Sequence, residues 1–278
     1  MSRIEEALKK VAGKRQEARV NSLESHVQER IPPQRDLPQK KTLATTKPLL
    51  DVTPIQINDA LIPTALDEKT VAVEEFNKLR SAVIALTKSD TLLNTLMITS
   101  TASEEGKSMT SLNLAISLAK EHDHTVLLVD ADLRRPSLHR YLGLTPKAGL
   151  VHCLREGLPI EQALIKTGIG KLVFLPAGEA VRDPLDMLSS NRMKEIVAEL
   201  KQRYEDRYVI FDTPPAHPFA DAGVLAAIVD ATLFVVREGK ADYRDLLKTL
   251  DTFKEQNLLG LIYNDSHRFM KKQDYYYY

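Results

Sequence analysis

Thr95-Leu96-Met97-Ile98-Thr99-Ser100-Thr101-Ala102-Ser103-Glu104-Glu105-Gly106-Lys107-Ser108 decides how the rest of the chain is read. A run rich in β-formers gives way to small polar residues, and Gly106-Lys107-Ser108 then opens a helical pattern. Strand, loop and helix in that order read as the P-loop of a nucleoside-triphosphate site. Backbone N–H groups at a helix N-terminus present partial positive charge, so a polyphosphate can sit there. The expected cradle is Thr101, Ala102, Ser103, Glu104, Glu105, Gly106, Lys107, Ser108 and Met109. Gly106 lets the backbone come close, Lys107 reaches the β- and γ-phosphates, and the Ser108 hydroxyl can ligate Mg²⁺. One position departs from the pattern: Thr101 stands where glycine is usual, five residues before Gly106. Gly-Lys-Ser is a weak signal alone, and two carboxylate motifs downstream decide the reading.

Upstream, the composition changes twice. Ser2 and Glu5 have capping-box spacing, and Ile4, Ala7, Leu8 and Val11 recur at helical intervals among Lys9, Lys10, Lys14, Arg15 and Arg19. This predicts a short amphipathic helix, either docked on a partner or anionic membrane surface, or simply solvated. From about 29 to 64, Pro32, Pro33, Pro38, Pro48, Pro54 and Pro63 interrupt any periodicity, as in a loosely ordered linker. The expected division is therefore an arm over 1–66, a compact domain over 67–266 and a flexible tail over 267–278.

Downstream, a helix is expected over 71–88, a strand over 93–99 and a helix over 107–120 with Leu112, Ala115, Ile116 and Ala119 as its buried stripe. Further strands are expected at 125–129, 171–175, 208–211, 231–236 and 258–263, with helices at 191–204 and 243–256. Continuous apolar strands alternating with helices predict an α/β fold: a parallel β-sheet flanked by helices on both faces, the P-loop NTPase fold, with a loosely ordered N-terminal arm. Ligands of such sheets bind at the carboxyl ends of the strands. The motifs obey that rule. Asp130-Ala131-Asp132-Leu133-Arg134 follows one apolar run, and Asp212-Thr213-Pro214-Pro215 follows another. The second has the form of a Walker B strand, whose aspartate would hold Mg²⁺ through water. The expected metal set is thus Ser108, Asp130, Asp132 and Asp212.

The bulk composition excludes several classes. Lys+Arg and Asp+Glu are equal at 38, so no global electrostatic case for nucleic acid arises. One cysteine, Cys153, and no signal-peptide pattern point to a reducing cytoplasm, with Cys153 read as a small buried apolar residue. No run of eighteen apolar residues appears, so work at a membrane would need another chain as anchor. Four of the nine tyrosines, Tyr275, Tyr276, Tyr277 and Tyr278, fill the last four positions, where a chain is freest. Tyr263 is expected in the core, and Tyr141, Tyr204, Tyr208 and Tyr243 as partly exposed packing residues.

Together the motifs make residues 70–278 resemble the bacterial tyrosine kinases of capsule and exopolysaccharide synthesis. Ser100 to Ser108 is similar to that family's Walker A motif, Leu127 to Arg134 to its A′ motif, and Val209 to Pro215 to its B motif. The arm resembles that of stand-alone autokinases which pair with a separate membrane protein. The resemblance implies an ATP- and Mg²⁺-dependent autokinase with catalytic Lys107, Asp130, Asp132 and Asp212, and with Tyr275 to Tyr278 as phosphoacceptors. It implies Asp130 as base, Asp132 in the metal or nucleotide shell, Arg134 on phosphate charge and Asn264 against adenine. The implied partners are further copies in an oligomer, possibly a ring, an inner-membrane polysaccharide chain-length or copolymerase protein as activator, and a cognate tyrosine phosphatase, with no nucleic acid. The implied location is cytoplasmic, held peripherally at the inner membrane by that partner.

Three departures qualify the match. The family's Glu-x-x-Arg-x-x-Arg assembly pattern keeps Glu74 and Arg80, but Asn77 takes the middle place. Ser103 and Glu104 stand where the family often has proline and glycine. Related ATPases that position septa or plasmids carry a signature lysine where this chain has Ala102, which counts against a Min/Par-like positioning ATPase. The other alternative is a nucleotide-binding regulator without kinase activity.

Overall fold

The computed structural model describes residues 55–57, 59–66, 70–88, 92–203, 207–254 and 256–266. The expected amphipathic helix, most of the proline-rich stretch, Tyr204 and the tyrosine tail lie outside the described residues.

Seven strands form one sheet: β1 (Thr95–Ser100), β2 (Thr125–Asp130), β3 (Ile165–Lys166), β4 (Leu172–Leu175), β5 (Arg207–Asp212), β6 (Ala231–Arg237) and β7 (Leu258–Asn264). Their order is β3-β4-β2-β5-β1-β6-β7. Every pairing is parallel except that of β3 with β4. The principal helices are α1 (Val71–Thr87), α2 (Lys107–Ala119), α7 (Asn191–Gln202) and α9 (Tyr243–Thr252). Between them run short α3 (Leu138–Tyr141), α4 (Leu150–Arg155), α5 (Ile160–Ala163), α6 (Leu185–Ser189) and α8 (Asp221–Ala226). This is the expected α/β architecture with helices on both faces. Among the described residues no helix is long and apolar enough to cross a membrane.

Strand side chains alternate between faces, so each central strand feeds two cores. Met97 of β1 joins Leu127, Val129, Val209, Phe211 and Phe234 on one side. Leu96 and Ile98 join Val126, Leu128, Ile210, Leu233 and Val235 on the other, against Leu112, Leu114, Ile116 and Leu118 of α2. All are essentially inaccessible, and each buried side chain of this kind contributes about 1.5–3 kcal/mol. That double burial explains why the strands read as unbroken apolar runs.

α2 is buried on every side, not along one stripe. Thr110, Ser111, Asn113 and Ser117 are buried with the apolar residues. The covering layer is α1 and the segment ahead of it. Arg80 of α1 donates to the Ser117 carbonyl at 3.2 Å and pairs with Glu121 at 3.0 Å. The Asn113 amide donates to the Leu61 and Met109 carbonyls, while its oxygen accepts from Thr64 N–H and hydroxyl. The packed region therefore reaches upstream of Asp67: Ile57 and Ile62 are buried, Pro63–Ala65 forms a 3-10 turn, and Ile55 N–H donates to Thr167 O at 2.9 Å.

Two tyrosines are placed differently from expectation. Tyr208 is wholly buried, edge-on to His124 at 5.2 Å and hydrogen-bonded to the Thr87 hydroxyl at 2.8 Å. Tyr263 is 51% exposed, because β7 is the outermost strand. α9 stops at Thr252 and not near 256, which lets Phe253 turn into the core, edge-on to Phe234 at 5.1 Å. Cys153 is buried as expected, and burial raises its thiol pKa.

Candidate active site

Parallel strands bring their carboxyl ends to one edge of the sheet. In spatial order along that edge stand Asp130 of β2, Asp212 of β5, Ser100 of β1, Arg237 of β6 and Asn264 of β7. Ser100 and Arg237, 137 positions apart in sequence, stand on neighbouring strands here.

The loop between β1 and α2 is braced from within and from both sides. The Glu105 carboxylate accepts from Ala102 N–H at 2.7 Å, and Ser100 hydroxyl donates to Ala102 O. Burial raises the Glu105 pKa despite the Ala102 and Arg237 backbone donors. Ser100 and Thr101 carbonyls accept from Ala216 and His217 N–H beyond β5. On the opposite side Asn264 donates to Glu105 O at 2.9 Å and Arg237 to Glu104 O at 3.3 Å. Asn264 thus grips the loop backbone, whatever else it contacts.

Gly106 is required twice. Its φ is +92°, and a Cβ there would lie 2.1 Å from the Asn264 amide nitrogen. Glu104 also has positive φ, +63°, an uncommon region for a residue with a side chain. This is the position where the resembled family often has glycine. Lys240, paired with the Glu104 carboxylate at 2.5 Å, and the Arg237 bond to its carbonyl hold it there.

At the start of α2 the Lys107 ammonium donates to Asp132 at 2.9 Å and to the Ser108 hydroxyl at 3.3 Å. Burial by itself would lower the Lys107 pKa, but the Asp212, Asp132 and Asp130 carboxylates outweigh it and raise it. Asp132 also accepts from Arg135 N–H at 3.0 Å. Asp212 accepts from Ser111 hydroxyl, one turn beyond Ser108, at 3.0 Å. Asp130 accepts Ser137 and Leu138 N–H at 3.1 and 3.2 Å. Asp130 and Asp212 are register partners on adjacent strands and fully buried. Burial, then the Asp212 charge, pushes the Asp130 carboxyl well up, and burial raises Asp212 against the pull of Lys107 and Ser108.

One oxygen of each, Asp130 Oδ1 and Asp212 Oδ2, is buried without a hydrogen-bond partner among the described residues. Hard, unsatisfied oxygens beside a serine hydroxyl fit a hydrated divalent cation. Among the described residues no group of three or more His, Cys, Asp or Glu forms an all-protein metal cage. That suits Mg²⁺, which keeps waters and substrate oxygens in its shell.

Thr101, Ala102, Ser103, Glu104, Glu105, Gly106, Lys107, Ser108 and Met109 therefore do form one loop and helix start facing Asp130, Asp132 and Asp212. Arg134 differs from the simple expectation. Its guanidinium is paired with buried Asp221 at 2.5 and 3.1 Å, bonded to Arg182 O at 2.9 Å, and stacked 4.1 Å over Phe219. Beside it a cavity of about 550 Å³ runs between Lys107, Arg135, Arg182, Pro218 and Phe219. Sequence reading missed Ser111, which its one-turn spacing from Ser108 could have signalled. It also missed Arg182, from the loop ahead of α6, and Phe219 and Asp221, from the loop after β5 and the first residue of α8. Tyr275 to Tyr278 lie outside the described residues.

Residues 96–268 match the CobQ/CobB/MinD/ParA nucleotide binding domain. The chain is 34% identical over 214 residues to the tyrosine-protein kinase YwqD of Bacillus subtilis, covering 76% of this chain and 88% of that protein. It is 32% identical to the tyrosine-protein kinase ptk of Acinetobacter johnsonii, covering 71% of this chain but only 27% of that longer protein. The kinase domain of the Escherichia coli tyrosine kinase ETK superposes with a TM-score of 0.64 at 28% identity, covering 69% of this chain and 75% of that one. With the motif geometry above, these likenesses settle the assignment: the chain belongs to the CobQ/CobB/MinD/ParA nucleotide-binding family and, within it, to the bacterial tyrosine kinases.

Proposed function

We propose that this kinase uses ATP and Mg²⁺ to phosphorylate the cluster Tyr275 to Tyr278 at its own C-terminus, in trans within an oligomer, and so regulates capsule or exopolysaccharide polymerisation or export. The observation that carries the reading is the Lys107–Asp132 pair set beside two buried carboxyls with unsatisfied oxygens. Such a cluster leaves a charged lysine and hard oxygens ready for a triphosphate and its cation.

The roles follow from chemistry. Lys107 and the loop N–H groups hold the β- and γ-phosphates, which requires Lys107 to turn from Asp132. Ser108 and Asp212 would hold the metal. Mg²⁺ when bound supplies charge neutralisation on the phosphate oxygens. The phenolic oxygen forms a bond to the terminal phosphorus, the bridging P–O bond to the departing ADP breaks, and the phenolic proton passes to Asp130. Phenol titrates near 10 and an ordinary aspartate near 4, a gap of about 6 units. Burial narrows that gap by raising Asp130, and a positioned base is worth about 10²–10⁴ in rate. Asp132 would complete the metal or nucleotide shell, Arg134 would add positive charge at its edge, and Asn264, which holds the loop through Glu105 O, would contact the adenine.

A separate inner-membrane copolymerase is the proposed activator and peripheral anchor, and a cognate phosphatase the proposed reset. Incubation with γ-labelled ATP tests the activity. Label on tail tyrosines supports it, and free phosphate alone would indicate a positioning ATPase. Absence of both would leave a silent regulator. Lys107→Met is expected to abolish transfer.

A further inference from the structure

The cavity beside the P-loop has a charge imbalance. Lys107 is paired with Asp132, Glu104 with Lys240, and Arg134 with Asp221 and Asp183. Arg135 and Arg182 also line it, and neither guanidinium has an ion-pair partner among the described residues. Two uncompensated guanidiniums therefore share this cavity with Pro218 and Phe219; Arg134 covers one face of the Phe219 ring, and the residue is still 39% exposed. Aromatic rings settle on such a surface, and guanidinium forks bind phosphate oxygens bidentately.

We infer that Arg135 and Arg182 form a phosphotyrosine-reading site, which holds a tail already phosphorylated while its next phenol enters the reaction centre. The inference rests on the tail being the acceptor. Before modification the tail offers this site little: Arg268, Lys271 and Lys272 precede one acid, Asp274. Each phosphate adds about −1.5 to −2 charges and three acceptor oxygens, which reverses the sign. Extended backbone puts side chains two residues apart on one side, about 7 Å from each other. In a run of four tyrosines, one phosphorylated ring can occupy the arginine wall while a neighbour of the same face lies along the groove. Repetition of tyrosine then has a physical use, since each transfer prepares the grip for the next.

The test needs no phosphoryl transfer, so its failure is distinct from failure of the kinase reading. Full-length protein, first treated with phosphatase, is titrated against a labelled peptide spanning 271–278 with one phosphate, on Tyr277. The phosphopeptide is expected to bind at least about tenfold tighter than the plain peptide, and Arg135→Gln with Arg182→Gln to erase that gain. ATP affinity of the double variant should stay within about twofold. Inorganic phosphate should compete, and amidating the peptide's C-terminus should change little. Retention of the gain by the double variant overturns the proposal. So does loss of ATP binding in parallel, which would give both arginines to the nucleotide's own phosphates. Equal, arginine-dependent binding of the plain peptide also overturns it, assigning the anion to the peptide's own C-terminal carboxylate. If transfer itself is measured, wild type should favour multiply phosphorylated tails and the double variant singly phosphorylated ones.

Discussion

Asp130 shows how this site trades stability for chemistry. Its folded carboxyl holds a proton more firmly than the same group in the unfolded chain, because burial and Asp212 oppose its charge. Folding stability is therefore fully present below the ordinary carboxylate range and declines as pH rises through the raised value. Ionising Asp130 therefore costs the folded state more than it costs the unfolded chain. Asp130→Asn keeps an oxygen for the Ser137 and Leu138 N–H groups and removes the charge. Thermal unfolding without Mg²⁺ should show a higher Tm for this variant near pH 7, with about 2–4 °C for each kcal/mol gained, and a flatter pH dependence above the ordinary carboxylate range. Its transfer rate should fall by about 10²–10⁴. A lower Tm at neutral pH would contradict this account of the carboxyl pair.

The loop, β6 and β7 act together at the scale of elements. Gly106 sits against Asn264, and Asn264 holds Glu105 O. Gly106→Ala should cost about 1–3 kcal/mol through its φ and the contact, and Asn264→Ala about 1 kcal/mol through the lost bond. Because the first substitution already displaces Asn264, the double variant should lose less than the sum. Urea unfolding of the four proteins checks this, and strict additivity would refute the coupling. How far these elements could be read in advance follows from their environment. β1, β2, β5 and β6 were legible because burial on both faces leaves unbroken apolar runs, and the loop because its chemistry needs glycine, lysine and serine in order. β3 has two residues, too few for any pattern. Tyr208 was misread because its hydroxyl finds Thr87 across the sheet, and Tyr263 because sequence does not announce an outermost strand. Arg135, Arg182 and Phe219 meet only through tertiary contacts, so no local spacing marks them.

For the whole molecule, the formal net charge of zero makes phosphorylation a large perturbation. A fully modified tail adds about −6 to −8 charges. Once every phenol is modified, no acceptor is left to enter the site and the charge exceeds the one phosphate that Arg135 and Arg182 hold, so head-to-tail copies should repel and separate, screened within about 8–10 Å at physiological salt. Light scattering should therefore find smaller assemblies after ATP treatment than after phosphatase treatment; identical sizes would reject a charge-driven switch. Beneath it lies the central claim, that the terminal phosphoryl of ATP reaches the chain's own tyrosines. Mass spectrometry of the C-terminal peptide after incubation with Mg²⁺ and ATP tests that most directly. Phosphate esters on Tyr275 to Tyr278, absent in Lys107→Met, are the predicted result. A tail that stays unmodified while the protein binds nucleotide normally would contradict it.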